Sequence, residues 1–172
     1  MEWVAATALE MKGHIAAHQQ KYVEARALFE QALAGFQAAN ANFNVILVTS
    51  ALAHLERRQG NYERALELYR ETIVAFRDVA QTGAVAHQLE CFGFIALAQD
   101  QSERALQLFA AAGALREKGG TPMTPDEQAY FDEQLKGVRE KVDATKFDSI
   151  WSKGRIMTME RAIEFALEAP HD

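Results

Sequence analysis

Tyr22-Val-Glu-Ala-Arg-Ala-Leu-Phe29 returns forty residues later as Tyr62-Glu-Arg-Ala-Leu-Glu-Leu-Tyr69, and again as Ser102-Glu-Arg-Ala-Leu-Gln-Leu-Phe109. In each copy a small residue (Ala25, Ala65, Ala105) is followed four positions on by an aromatic (Phe29, Tyr69, Phe109). The middle copy continues with Ile73 and Phe76, so its apolar positions keep the spacing of one face of a helix. Upstream of each copy lies a second apolar-periodic segment. It carries a small residue at Gly13, Ala53 and Gly93, where a neighbouring helix must come close, and an apolar one two positions later at Ile15, Leu55 and Ile95. Gln59-Gly60-Asn61 reads as the turn between the two helices, with Gly60 suited to the left-handed C′ position. In the third copy Asp100 stands three residues before Glu103, the spacing of an N-cap with a reciprocal carboxylate. Neither helix of a pair can bury its stripe alone, so the pairs must stack on one another.

The composition agrees with helix throughout. Alanine fills 31 of the 172 positions, while glycine and proline together fill 13, and alanine orders at little side-chain entropy cost. The length is that of one domain. The formal net charge is −6, with 18 basic against 24 acidic residues, and there is no basic stripe, which argues against direct nucleic-acid binding. A single cysteine excludes a disulfide framework and fits a reducing, cytoplasmic setting. Apolar runs such as Val45–Val48 and Phe94–Ala98 are too short for a membrane span or a signal peptide.

After Gly119-Gly120 the repeat stops. Thr124-Pro-Asp-Glu127 matches a capping box with proline at the first helical position, opening a helix to about Val142. A short helix is expected over Ala144–Ser152, broken by Lys153-Gly154, and Thr158 can cap a last helix to about Ala169. The apolar faces of these helices (Phe131, Leu135, Val138; Phe147, Ile150, Trp151; Ile163, Phe165, Leu167) would cover the open end of the array, as a repeat array requires.

The small-x-x-x-aromatic signature and the Leu9-x-x-x-Gly13 start resemble the tetratricopeptide (TPR) repeat. The resemblance implies an all-α fold: a right-handed α-solenoid of three TPR-like helix hairpins (about 6–45, 46–85 and 86–120) over residues 1–120, with capping helices of the same domain over 121–172. Two features depart from the family pattern. The proline near the repeat end is replaced by Gln37, Arg77 and Glu117, and the period is 40 where about 34 is usual. The Leu9-to-Ala25 spacing already equals the family's, so six extra residues are expected in the second helix and its exit loop. The tail carries a resemblance of its own. Leu115-Arg116, Gly120-Thr-Pro, Pro125-x-Glu127, Phe147-x-x-x-Trp151-x-x-Gly154-Arg155 and Thr158-x-Glu160-x-Ala162, in that order, are similar to a segment of large bacterial signal-transduction ATPases, many of them LuxR-type transcriptional regulators. That implies a scaffold or sensor part of a regulator, whose partners would include a neighbouring NTPase or DNA-binding domain of a longer parent protein. Neither a G-x-x-x-x-G-K-[ST] loop nor a basic recognition helix is in this chain.

In such an array the inner face of each first helix lines a concave groove. The candidate groove residues are Glu10, His14 and His18; Ser50, His54, Arg57 and Arg58; and His87, Glu90 and Phe94. Every histidine but His171 falls in this set. Imidazoles and arginines as donors, with Phe94 as a platform, suit a peptide or protein held in the groove. TPR proteins that capture a peptide carboxylate do so with Lys and Asn; those places hold Glu10, Ser50, Glu90, His14 and His54 here. Two alternatives stay open. One is a small-effector or metal sensor using the histidines. Yet Glu10, His14 and His18 span about 12 Å of helix rise and cannot all reach one ion; two of them could, with His54 supplying the third ligand, but no metal and no cofactor is expected. The other is self-association as a homodimer through the apolar flank Val4, Ala8, Met11 and Ile15. No nucleophile elbow or glycine-rich phosphate cradle occurs, and Cys91 lacks an evident cationic neighbour, so no enzymatic activity is expected.

Overall fold

The structure is a computed structural model that describes residues 2–168. Its described residues form helices joined by short links, with no strand: α1 (Glu2–His18), α2 (Tyr22–Ala38), α3 (Asn42–Arg58), α4 (Tyr62–Asp78), α5 (Thr82–Ala98), α6 (Ser102–Gly119), α7 (Pro125–Lys141), α8 (Ala144–Arg155) and α9 (Met159–Leu167). This is the all-α, helical-repeat class the sequence implies.

The forty-residue period is two equal halves. Each of α1 to α5 is 17 residues long, and each of the first five links is a three-residue turn of one kind. Its middle residue takes a positive φ: Gln20 60°, Asn40 53°, Gly60 79°, Ala80 56° and Asp100 60°, with Gly120 at 62° after α6. The next N–H then reaches back to the carbonyl five residues earlier. These bonds are Lys21 to Ala16, Ala41 to Phe36, Asn61 to Glu56, Gln81 to Phe76, Gln101 to Ala96 and Thr121 to Arg116, all 2.8–3.0 Å. They satisfy carbonyls that the helix end would otherwise leave unpaired. Gly60 is at the left-handed position expected of it.

The extra residues therefore do not lengthen the second helix alone. The hairpins begin at Glu2, Asn42 and Thr82, four residues before the starts read from sequence. Asp100 does not cap α6: it is itself the left-handed residue, Gln101 precedes the helix without a side-chain cap, and the Asp100 carboxylate accepts from Lys141 Nζ at 2.7 Å instead.

The chain divides into two units, Met1–Ala75 and Phe76–Asp172. In the first, α2 packs on α1 and α3. Gly13 admits the Phe29 ring so closely that a Cβ would stand 2.7 Å from it, and a Cβ at Gly35 would stand 2.9 Å from the Ala6 methyl. Ala25, Ala32 and Phe36 are fully buried along the same stripe of α2. Burying a side chain such as Phe29 or Phe36 is worth about 1.5–3 kcal/mol.

In the second unit α6 is the hub, touching α5, α7, α8 and α9. Gly93 receives Phe109 as Gly13 receives Phe29, and Phe131 of α7 stands edge-on to Phe109 at 5.0 Å. The capping box of α7 forms as expected, with Glu127 N donating to Thr124 Oγ1 at 3.3 Å and Thr124 N to Glu127 Oε2 at 2.8 Å. Thr158 caps α9 by accepting from Arg161 N at 3.1 Å. Helix α9 closes at Leu167; Ala169 and His171 lie outside the described residues. Lys153-Gly154 does not break α8, which runs on to Arg155. Gly154 is there for contact rather than for termination: it lies directly on the Gln107 carbonyl and the Ala110 methyl. Arg104 closes the far end, its Nη2 donating to the carbonyls of Phe165, Ala166 and Glu168 at 2.8–3.1 Å, where a cation suits a helix C-terminus.

Candidate functional site

Forty-residue register places Glu10, Ser50 and Glu90 at one position of the repeat, and His14, His54 and Phe94 one helical turn further on. Their surroundings differ from repeat to repeat.

On α1, Glu10 is half-buried and His14 exposed. His14 Nε2 lies 3.9 Å from Glu10 Oε1, and the imidazole stands edge-on to Phe29 at 5.0 Å. Burial raises the Glu10 carboxyl above its ordinary value, against the pull of His14. His18 is exposed in the last turn.

On α3, both imidazole nitrogens of His54 are engaged. Nδ1 is 2.6 Å from Tyr69 Oη, and Nε2 is 3.3 Å from Ser50 Oγ. Tyr69 is fully buried on α4 and Ser50 is 7% exposed, so the ring is oriented from below by a phenol and from the side by a hydroxyl. Arg57 is half-buried and Arg58 exposed. Both stand in the last turn, where the carbonyl end of the helix favours cations. Beneath them Glu56 is 3% exposed and bonded to Arg26 of α2 and to Asn61 Nδ2, the latter at 2.8 Å. Burial would raise the Glu56 carboxyl, but these two bonds and the charges of Arg26 and Arg64 hold it below the ordinary range.

On α5, Glu90 is 2% exposed. Arg116 of α6 grips it in a two-pronged pair, Nε to Oε1 at 2.6 Å and Nη2 to Oε2 at 2.9 Å, and Nη1 donates to the Thr121 carbonyl at 3.0 Å. His87 Nδ1 faces Glu90 at 3.4 Å and Glu127 at 3.6 Å; its Nε2 lies 3.9 Å from Cys91 Sγ. Cys91 foremost, then Glu90, push the imidazole up to about 10 against the opposing effect of burial. Phe94 is 8% exposed, packed against Phe109 at 5.2 Å and covered edge-on by Tyr130 of α7 at 4.9 Å. The aromatic that meets solvent there is Tyr130, 42% exposed, and not Phe94.

The structure thus joins Glu10 with His14, Ser50 with His54, and His87 with Glu90. Sequence reading did not find Tyr69, Arg26, Arg116, Glu127 or Tyr130 as their supports. For two of them a signal was present: Glu56 and Glu90 sit on helix faces that are otherwise apolar, and a carboxylate there needs a cation or donors. Nothing in the spacing says that the cation is thirty residues back in one case and twenty-six residues on in the other.

Residues 4–78 match the family model of the tetratricopeptide repeat. A stretch of 90 residues, 51% of this chain, is 32% identical to the regulatory protein AfsR of Streptomyces coelicolor, and the chain spans about 8% of that protein's length. No solved structure matches the chain. No helix among the described residues is long and apolar enough to cross a membrane.

Proposed function

We propose, from the premise that the chain carries a tetratricopeptide-repeat domain, that it is a non-catalytic protein-interaction module of a regulator. It takes a peptide or protein segment on the inner faces of its first helices: Glu10, His14 and His18 of α1, with Ser50, His54, Arg57 and Arg58 of α3. The α5 residues at the same repeat positions are committed within their own unit: Glu90 is buried on Arg116 and Phe94 lies under Tyr130, with His87 half-buried beside them. The observation that carries this reading is His54. Tyr69 and Ser50 hold its ring in one orientation a turn before Arg57 and Arg58, so a segment carrying carboxylates would meet two guanidinium groups beside a pre-set imidazole. The register supports it too, since His14 repeats His54 with a carboxylate, Glu10, one turn before it.

The regulatory role rests on the likeness to AfsR, whose name describes a regulatory protein. In that setting an NTPase or DNA-binding domain of a longer parent would be a neighbour, in the cytoplasm, where a lone buried cysteine stays reduced. The module would act by altering how such a neighbour packs.

The test compares captured partners from host lysate for the native chain and for a His14→Ala/His54→Gln variant, each hit then titrated directly with purified protein. Circular dichroism first confirms that the variant is folded. A partner bound at least tenfold more weakly by the variant supports the inner-face reading. Equal binding moves the interface elsewhere.

A further inference from the structure

The first helices of the first two hairpins carry matching stripes. On α1 the stripe runs Trp3, Thr7, Glu10, His14, His18, and on α3 it runs Phe43, Leu47, Ser50, His54, Arg58. Spacings of three and four keep each set to one side of its helix. Both stripes begin with exposed apolar side chains: Trp3 is 49%, Phe43 44% and Leu47 36% exposed. Both end in imidazole or guanidinium groups, with Arg57 beside Arg58. Trp3 looks toward α3, since its indole Nε1 donates to Asn44 Oδ1 at 3.4 Å, so the two apolar ends adjoin. The fold does not require an aromatic at this place, because the third hairpin has Gly83 there. A cluster of large apolar side chains left in solvent marks an interaction site.

The middle of each stripe says how the occupant is built. A bound helix has its amides already paired and needs an apolar stripe along its length, but Thr7, Glu10 and Ser50 separate the two ends here. An extended segment brings unpaired amides, which hydroxyls and a carboxylate can meet. Glu10 disfavours a second carboxylate beside it, which leaves acidic residues the far end, at His54, Arg57 and Arg58. From Phe43 to His54 and Arg58 the helix rises about 16 and 22 Å, a span that about five to seven residues of extended chain cover.

We infer that the inner face of the first two hairpins takes an extended acidic segment anchored by one bulky apolar residue. The anchor enters at Trp3, Phe43 and Leu47, and the carboxylates stand about five to seven residues away, against His54, Arg57 and Arg58. This rests on the inner-face reading above and adds to it the apolar anchor, the spacing and the placing of the two ends.

The experiment uses the full chain and end-capped Gly/Ser peptides carrying one leucine and a pair of glutamates about six residues apart, made in both chain orders. Control peptides replace the leucine by serine, replace the glutamates by lysines, or set leucine and glutamates side by side. Each bears the same fluorescein on a terminal spacer, and binding is followed by anisotropy. In one of the two orders the spaced peptide is expected to bind at least tenfold more tightly than every control. Phe43→Ser should abolish the preference for leucine over serine and keep that for glutamate over lysine; Arg58→Ser should narrow the second and keep the first. A misfolded variant would lose both together. No binding of any peptide at millimolar concentration, or no preference for leucine, overturns the inference. Binding that His14→Ala/His54→Gln weakens but Phe43→Ser leaves unchanged also overturns it, while the inner-face reading stands. Binding that none of these variants changes removes both.

Discussion

Arg116 and Glu90 form a two-pronged ion pair between α6 and α5, at 2.6 and 2.9 Å, with the carboxylate side chain 2% and the guanidinium side chain 10% exposed. The third prong of Arg116, to the Thr121 carbonyl, ties the pair to the turn that leads into α7. A buried pair costs desolvation on both sides, so its presence is weak evidence of net stabilisation, but removing one partner strands the other. Arg116→Met should cost about 3–5 kcal/mol in urea unfolding. The double variant Arg116→Met/Glu90→Leu should recover most of that loss. A double variant as unstable as the single would mean that the Thr121 bond, and not the charge pair, carries the effect.

His87 gives the second unit a pH dependence with a definite sign. Cys91, Glu90 and Glu127 surround the imidazole, and its value near 10 in the folded chain exceeds about 6.5 for an unfolded histidine. Between those values the folded chain binds the extra proton, so its contribution to stability is complete below about pH 6.5 and is lost as the pH rises through about 10. Thermal unfolding from pH 6 to 10 should show the native Tm falling relative to that of His87→Gln. Cys91→Ala should move the histidine's NMR titration to lower pH. A native and a variant curve that run parallel would remove His87 as the cause.

The hairpins were legible because their signal is local and repeated: Ala25 and Phe29, Ala65 and Tyr69, Ala105 and Phe109 fix a helix face three times over. The Thr124 and Thr158 caps were legible for the same reason, each being a contact within three residues. Asp100 was misread because a cap and a left-handed turn residue share the same residue type, and only the twenty-residue turn rhythm separates them. Phe94 was misread because its cover, Tyr130, comes from a helix outside the repeat. The supports of the polar residues are long-range, and a carboxylate such as Glu90 names the need for a cation without naming Arg116.

That turn rhythm sets up a comparison of signs. Ala80 takes φ 56° with a Cβ, where Gly60 takes φ 79° without one. A left-handed conformation costs an L-residue roughly 1–2 kcal/mol, offset in part by the greater entropy glycine loses on folding. Ala80→Gly should therefore stabilise the chain by about 0.5–1 kcal/mol, and Gly60→Ala should destabilise it by about 1 kcal/mol. Chemical denaturation of the two variants decides it. If Ala80→Gly lowers stability, the turn after α4 is held by contacts of the alanine methyl and not merely tolerated.

Gly154 and Gly137 are both helical glycines of the cap, and their substitution by alanine should act in opposite directions. A Cβ at Gly137 would meet nothing within 4 Å, whereas one at Gly154 would enter the Gln107 carbonyl and the Ala110 methyl. Gly137→Ala removes only the entropic handicap of glycine within α7 and should stabilise by up to about 1 kcal/mol. Gly154→Ala must push α8 off α6, since the obstacle is backbone that cannot rotate away, and overpacking of this kind costs about 1–3 kcal/mol or more. Displacing α8 also uncovers Phe147 and Ile150, now 9% and 8% exposed, and moves Trp151, which stacks on Phe147 at 6.2 Å. Gly154→Ala should therefore red-shift tryptophan fluorescence under native conditions and raise dye binding, while Gly137→Ala leaves both unchanged. If the Gly154 variant keeps the native emission and stability, α8 is seated by its aromatic face alone and the close approach at Gly154 is incidental.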